Sequence, residues 1–133
     1  MSAVVADTHA AVWYLLNSQR LSLSACAALD AATQRGDPVY VASISLVEVV
    51  YLVEKRRLPE FALERLSNAL ANPASGFVTV PLDLAVAQAL RRISRDVVPD
   101  MPDRIIAATA LHLDLPLVTR DPDIQKTTIK TIW

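Results

Sequence analysis

Ala3-Val4-Val5-Ala6-Asp7-Thr8 decides how the rest of the chain is read. Its apolar run is too short for a helix and does not alternate with polar residues, as in a strand buried on both faces. Behind it, Ala11, Val12, Leu15 and Leu16 share one side of a helix that Asn17-Ser18-Gln19-Arg20 breaks. A strand running through an acid into a helix is the start of a βαβ unit, and similar units follow. Val39-Tyr40-Val41-Ala42 reads as a second strand, with a helix from Leu46 to about Arg56. Phe77-Val78-Thr79-Val80 is the third, ended by Pro81; Leu117-Val118-Thr119 is the fourth, and Thr131-Ile132-Trp133 adds a short edge strand. Between them, Ser22 or Ser24 caps a helix to about Arg35, which Gly36 stops. Pro59 opens a segment with Phe61, Leu63, Leu66 and Leu70 apolar, closed by Asn72-Pro73. Leu84, Ala87, Leu90 and Ile93 are expected on one helical face, and Asp103 to about Leu113 forms another helix. Strands alternating with helices predict an α/β domain with a central parallel sheet covered on both faces and right-handed crossovers.

A chain of 133 residues fits one domain, residues 1–133, since domains commonly run to about 100–150. Hydrophobic residues make up 53% and the mean hydropathy is +0.32. With only two glycines there is little linker, so the apolar surplus belongs to core or subunit interface. A net charge of −1 is not the footprint of a general nucleic-acid binder; such a substrate would need a local basic patch and metal ions. The one cysteine, Cys26, excludes an internal disulfide and suits a reducing compartment. Asp7 and His9 interrupt the apolar stretch Val4–Leu16, so it is no signal peptide, and no run of about 18 apolar residues spans a membrane. A cytoplasmic protein without membrane contact is expected.

Four acids stand where strands end or helices begin: Asp7, Glu48 in Ser45-Leu46-Val47-Glu48, Asp103 in Met101-Pro102-Asp103-Arg104, and Asp121 after Leu117-Val118-Thr119-Arg120. Each also has a plain structural use. Asp7 can cap a helix, Ser45 and Glu48 match a capping box, Asp103 suits a first helical turn, and Asp121 before Pro122 suits a turn. Jointly they say more. In an open parallel sheet such positions converge on one edge, where ligands bind. Carboxylates gathered there repel one another unless hard divalent cations hold them. That points to a hydrolase using Mg²⁺ or Mn²⁺.

Three stretches, Val4-Val5-Ala6-Asp7-Thr8-His9-Ala10, Ala42-Ser43-Ile44-Ser45-Leu46-Val47-Glu48, and Asp103-Arg104-Ile105-Ile106-Ala107-Ala108-Thr109-Ala110 continuing into Pro116-Leu117-Val118-Thr119-Arg120-Asp121, carry a resemblance in the right order over nearly the whole chain. The chain resembles the PIN-domain ribonucleases, and among them the VapC-like toxins of toxin–antitoxin pairs. The resemblance implies an α/β/α sandwich and Mg²⁺- or Mn²⁺-dependent endoribonuclease activity. Asp7, Glu48, Asp103 and Asp121 match the family's acidic, metal-holding positions, Asp7 and Asp103 most firmly. Thr8 matches the residue after the first acid. Thr119 matches the hydroxyl residue before the last, placed to orient that acid or a water. The resemblance further implies an RNA substrate, a cognate antitoxin that fills the acidic groove with a basic side chain, and a homodimer.

Arg104, beside Asp103, is the preferred contact for a substrate phosphate, though it can equally pair with an acid. The clusters Lys55-Arg56-Arg57 and Arg91, Arg92, Arg95 read as solvated helix ends. Trp13 and Tyr14 read as packing residues rather than base-stacking ones, and His9 as structural or exposed. Two rival readings stand beside the nuclease. One is a receiver-like Mg²⁺-binding signalling domain, which lacks its acidic pair and late lysine here. The other is a non-catalytic PIN-like module that only binds RNA or protein.

Overall fold

The computed structural model describes residues 2–133. The elements run β1 (Val4–Ala6), α1 (Thr8–Leu15), α2 (Leu23–Arg35), β2 (Val39–Ala42), α3 (Ser43–Glu54), α4 (Glu60–Ala71), β3 (Phe77–Val80), α5 (Leu84–Ala89), α6 (Met101–Leu113), β4 (Leu117–Val118), α7 (Pro122–Gln125) and β5 (Thr131–Ile132). Short 3₁₀ turns follow α4 at Pro73–Ser75 and α5 at Leu90–Arg92. The strands form one sheet in the order β3-β2-β1-β4-β5, with every pairing parallel. This is the α/β architecture expected. The order is not the 2-1-3-4-5 of receiver-type sheets, so the receiver-like rival loses its structural basis.

Strand alternation builds the sandwich. Val4 and Ala6 join one buried cluster, with Leu29, Val49 and Leu66, while Val5 between them joins the other, with Ile106, Leu117 and Ile124. A three-residue strand thus serves two cores because successive side chains point to opposite faces. The α2 boundaries follow from local chemistry. Ser22 accepts a hydrogen bond from the Ala25 N–H, and Gly36 closes the helix at φ 73°, a left-handed conformation that costs other residues a steric penalty.

Three readings need correction. Helix α3 starts at Ser43, directly from β2, and its N-cap, Ala42, makes no side-chain cap. Ser45 is therefore inside the first turn and fully buried, so Ser45 and Glu48 do not form a capping box. On α5 the buried residues are Val86 and Ala89, with Ile93 beyond the 3₁₀ turn, while Leu84 is 73% exposed and Ala87 is also exposed. The buried stripe is Val86, Ala89 and Ile93 with Leu90 half-buried, so the Leu90–Ile93 end of the expected face holds and its Leu84–Ala87 end does not. Asp103 does not open α6: Asp100 is the N-cap and accepts from the Asp103 N–H at 3.1 Å.

The chain order places the site. From β1 the chain moves outward to β2 and β3, then returns to lay β4 on the other side of β1. The switch point lies between β1 and β4, and the crevice beyond the carboxyl ends of those strands is where open α/β sheets bind ligands.

Candidate active site

An open cavity of about 410 Å³ lies at that edge, and Asp7, Glu48, Asp100, Asp103 and Asp121 line it. All four acids singled out from the sequence are thus brought together, with Asp100 added. Asp7 leaves β1 and caps α1, its Oδ1 accepting from the Ala10 N–H at 2.9 Å, while its own N–H donates to the Val118 carbonyl at 3.1 Å. Asp121 caps α7, its Oδ1 accepting from the N–H groups of Asp123 and Ile124 at 2.8 and 3.2 Å. Capping and site roles coincide here. An N-cap bond fixes the carboxylate, and the helix dipole favours its charge.

The hydroxyl residues hold the acids in place. Thr8, buried, donates to Glu48 Oε1 at 2.6 Å and sits 2.9 Å from Ser45 Oγ. A hydroxyl has one proton to give, so the serine is the donor in the second contact. Thr119, fully buried, accepts from the Asp121 N–H at 3.0 Å, and its hydroxyl lies beside the Asp7 carboxylate and opposes the rise of its pKa. Thr8→Val would leave the buried Ser45 hydroxyl and Glu48 without this partner. It is expected to cost about 1–3 kcal/mol in stability, readable by urea unfolding; an unchanged midpoint would deny the triangle its structural importance.

Burial raises the pKa of Asp7 against opposing hydrogen bonds from Thr119 and Ala10. Burial likewise raises Glu48, against the Thr8 hydroxyl, with Asp100 and Asp7 adding repulsion. Asp103 is pushed from 3.8 to about 8 by burial, by its hydrogen bond with Asp121, and by the charges of Asp121, Asp100 and Glu48. Two carboxylates can share a hydrogen bond only if one keeps a proton. The raised Asp103 pKa favours a proton there below about pH 8.

The donor set fits a hard divalent ion. Its side chains offer oxygen only, and the repulsion that holds a proton on Asp103 is what a cation would relieve. Among the described residues no three His, Cys, Asp or Glu side chains are grouped closely enough to hold a metal ion as they stand. An open site suits Mg²⁺, which keeps several waters and needs one or two carboxylates.

Arg104 does not reach the cavity wall: its Nε donates to the Ile93 carbonyl at 2.8 Å, tying α6 to the chain after the 3₁₀ turn. The cavity's guanidinium is Arg120, which the sequence reading passed over as a phosphate contact. Its signal was position, between Thr119 and Asp121 just past the carboxyl end of β4. His9, Trp13 and Trp133 also line the cavity. Trp13 is buried, as a packing residue should be, and His9 is exposed. Lys55, Arg56, Arg57, Arg91, Arg92 and Arg95 are all exposed.

The family model for the PIN domain matches residues 4–130. The chain belongs to the PIN-domain family. Over 121 residues this PIN domain is 35% identical to a protein named Ribonuclease VapC22 from Mycobacterium tuberculosis, covering 91% of this chain and 88% of that one. Solved structures share the fold. VapBC2 from Rickettsia felis, bound to a DNA fragment from its promoter, superposes with a TM-score of 0.71 at 16% identity, covering 97% of this chain and 96% of that one. A toxin–antitoxin complex from Klebsiella pneumoniae gives 0.68 at 22%, with 98% and 96% covered. FitAcB from Neisseria gonorrhoeae gives 0.64 at 22%, with 96% and 95% covered.

Proposed function

We propose that this PIN domain is a Mg²⁺- or Mn²⁺-dependent endoribonuclease, the toxin of a toxin–antitoxin pair. The observation that carries the reading is the convergence of Asp7, Glu48, Asp103 and Asp121, from four separate segments, on one cavity at the sheet's switch point. The likeness to a protein named as a ribonuclease over 91% of the chain supports it.

Asp7 and Asp103 are the principal metal holders in this reading, with Glu48 and Asp121 completing the charge. Held by these carboxylates, a divalent ion would supply Lewis-acid polarisation of the phosphodiester and a more nucleophilic water. Thr8 and Thr119 keep Glu48, Asp7 and Asp121 in fixed orientations, so little reorganisation is needed when charge develops. The carboxylates position and balance charge; none acts as a nucleophile.

Partners follow the same logic. An antitoxin silences the enzyme by seating a segment in the acidic cavity, with a basic side chain among the carboxylates. Exposed apolar side chains, Tyr51 on α3 (58%), Leu84 on α5 (73%) and Met101 on α6 (62%), offer surface for that partner and for a second copy. No helix among the described residues is long and apolar enough to cross a membrane; the cytoplasm is the proposed compartment.

The test is cleavage of total cellular RNA by the purified, antitoxin-free protein, with Mn²⁺ or Mg²⁺, with chelator, and with Asp7→Asn. Discrete fragments that vanish with chelator and with the variant are expected, and their ends identify the target. A folded, metal-loaded protein that cuts no RNA would leave the acids as a binding site, the non-catalytic alternative.

A further inference from the structure

Facing the carboxylates, the cavity has a second wall that the metal chemistry does not use. Trp13 forms its base, 5% exposed. The His9 ring lies 5.2 Å from it at 49°, and the Trp133 ring 6.0 Å away at 58°. The guanidinium carbon of Arg120 stands 4.7 Å from the Trp13 ring centroid. His9 and Arg120 are exposed and Trp133 is half-buried. Both tryptophans of the chain meet here.

Arg120 is placed unusually for a cation beside five carboxylates. Among the described residues it forms no ion pair and no side-chain hydrogen bond; the one ion pair found is Lys126 with Asp123 at 3.7 Å. The Trp13 face holds it instead, through a cation–π contact. A guanidinium held by its face keeps its edge donors available, and those donors match a phosphate. The flanking rings present π surface to the same space, and rings beside a cation are the combination that binds single-stranded nucleic acid. An acidic wall by itself would repel such a strand.

We propose that Arg120, His9 and Trp133, braced on Trp13, form a nucleotide subsite beside the scissile bond. Arg120 takes the phosphate next to the one being cut, and the accessible faces of His9 and Trp133 stack on the adjoining base. This inference rests on the ribonuclease reading and deepens it: these are positioning residues that set how RNA enters and which base is preferred next to the cut.

The test uses the full-length protein, free of antitoxin, in chelator so that nothing is cut, and two probes: a single-stranded oligoribonucleotide and an abasic strand of equal length. The oligoribonucleotide should quench tryptophan fluorescence. Trp133→Leu should weaken its binding about tenfold, the size of one lost stacking contact, whereas Trp133→Phe should stay close to the parent. Neither change should matter for the abasic strand, while Arg120→Gln should weaken both probes. In cleavage assays Trp133→Leu should raise KM more than it lowers kcat. Circular dichroism melting separates these effects from misfolding, and Arg120→Gln, which should weaken both probes, carries the test if the Leu variant is unstable. A folded Trp133→Leu that binds both probes like the parent overturns the proposal. So does a variant that binds RNA normally but escapes inhibition by the antitoxin, which would assign this wall to the protein partner. Probe binding as described without cleavage of any RNA would sink the nuclease reading and keep the subsite; cleavage with indifferent probe binding would sink the subsite alone.

Discussion

Asp103→Asn is expected to reduce metal-dependent RNA cleavage by about 10²–10³-fold or more, comparable to losing one preorganised electrostatic group, while making the metal-free protein more stable. Both effects have one cause. Asp103 sits in the first turn of α6 with Asp121, Asp100 and Glu48 around it, and shares a hydrogen bond with Asp121. An asparagine amide can donate that bond permanently, without a proton having to be retained. The carboxylate needed to hold a cation is lost and the repulsion disappears with it. For a half-exposed group the gain must be discounted for solvent screening; about 1 kcal/mol, or roughly 3–5 °C in melting midpoint, is the expected scale. Stability gained as function is lost is the usual trade at a site built from like charges. Melting curves in chelator and a cleavage assay on the same preparation decide it. A variant that cuts RNA at the parent rate removes Asp103 from the site, and one that melts lower in chelator shows that the repulsion was not costing stability.

The second large effect is in pH. Asp103 has a pKa raised from 3.8 to about 8 in the folded, metal-free protein, burial being the first cause and Asp121 the next. Below the lower value both folded and unfolded chains carry the proton, and nothing changes. Between the two, the unfolded chain has lost a proton that the folded chain still holds, so stability falls as pH rises and levels off above the folded value. In the proposed metal site a divalent ion would take the proton's place. Its affinity should climb about tenfold per pH unit well inside that window for each proton released, hence roughly fiftyfold from pH 6 to pH 8 for one proton. Calorimetric Mn²⁺ titrations in buffers of different ionisation enthalpy count the protons directly. An affinity that does not vary with pH would mean that the cation binds away from the Asp103–Asp121 pair.

What was legible in the sequence was local. Strand β2, Val39–Ala42, and the end of α2 at Gly36 are set by residues within a few positions of the feature, and the four acids could be picked out because each stands at a junction. What was not legible depended on distant partners. Ser45 and Glu48 fit a capping box as text, but Thr8, 40 positions from Glu48, claims both side chains once β1 and β2 lie side by side. Arg104 and Arg120 each adjoin a site acid. Only the packed structure shows that the Ile93 carbonyl takes the first and that the face of Trp13 holds the second above the cavity. On α5, Leu84 and Ala87 were placed on the buried face by an apolar spacing that Val86, Ala89 and Ile93 satisfy equally well, and the packed structure buries the second set.

Strand β1 is hydrogen-bonded on both sides, and the Asp7 amide belongs to its ladder through Val118. The first acid of the site is therefore anchored in the part of the molecule whose amides should exchange with solvent only on global unfolding. A site so anchored has no off position of its own. Local melting cannot disarm it and proteolytic nicking of a surface loop would not loosen it, so whatever keeps such a protein silent has to compete for the mouth of the cavity, molecule for molecule, and the balance of the two concentrations becomes the switch.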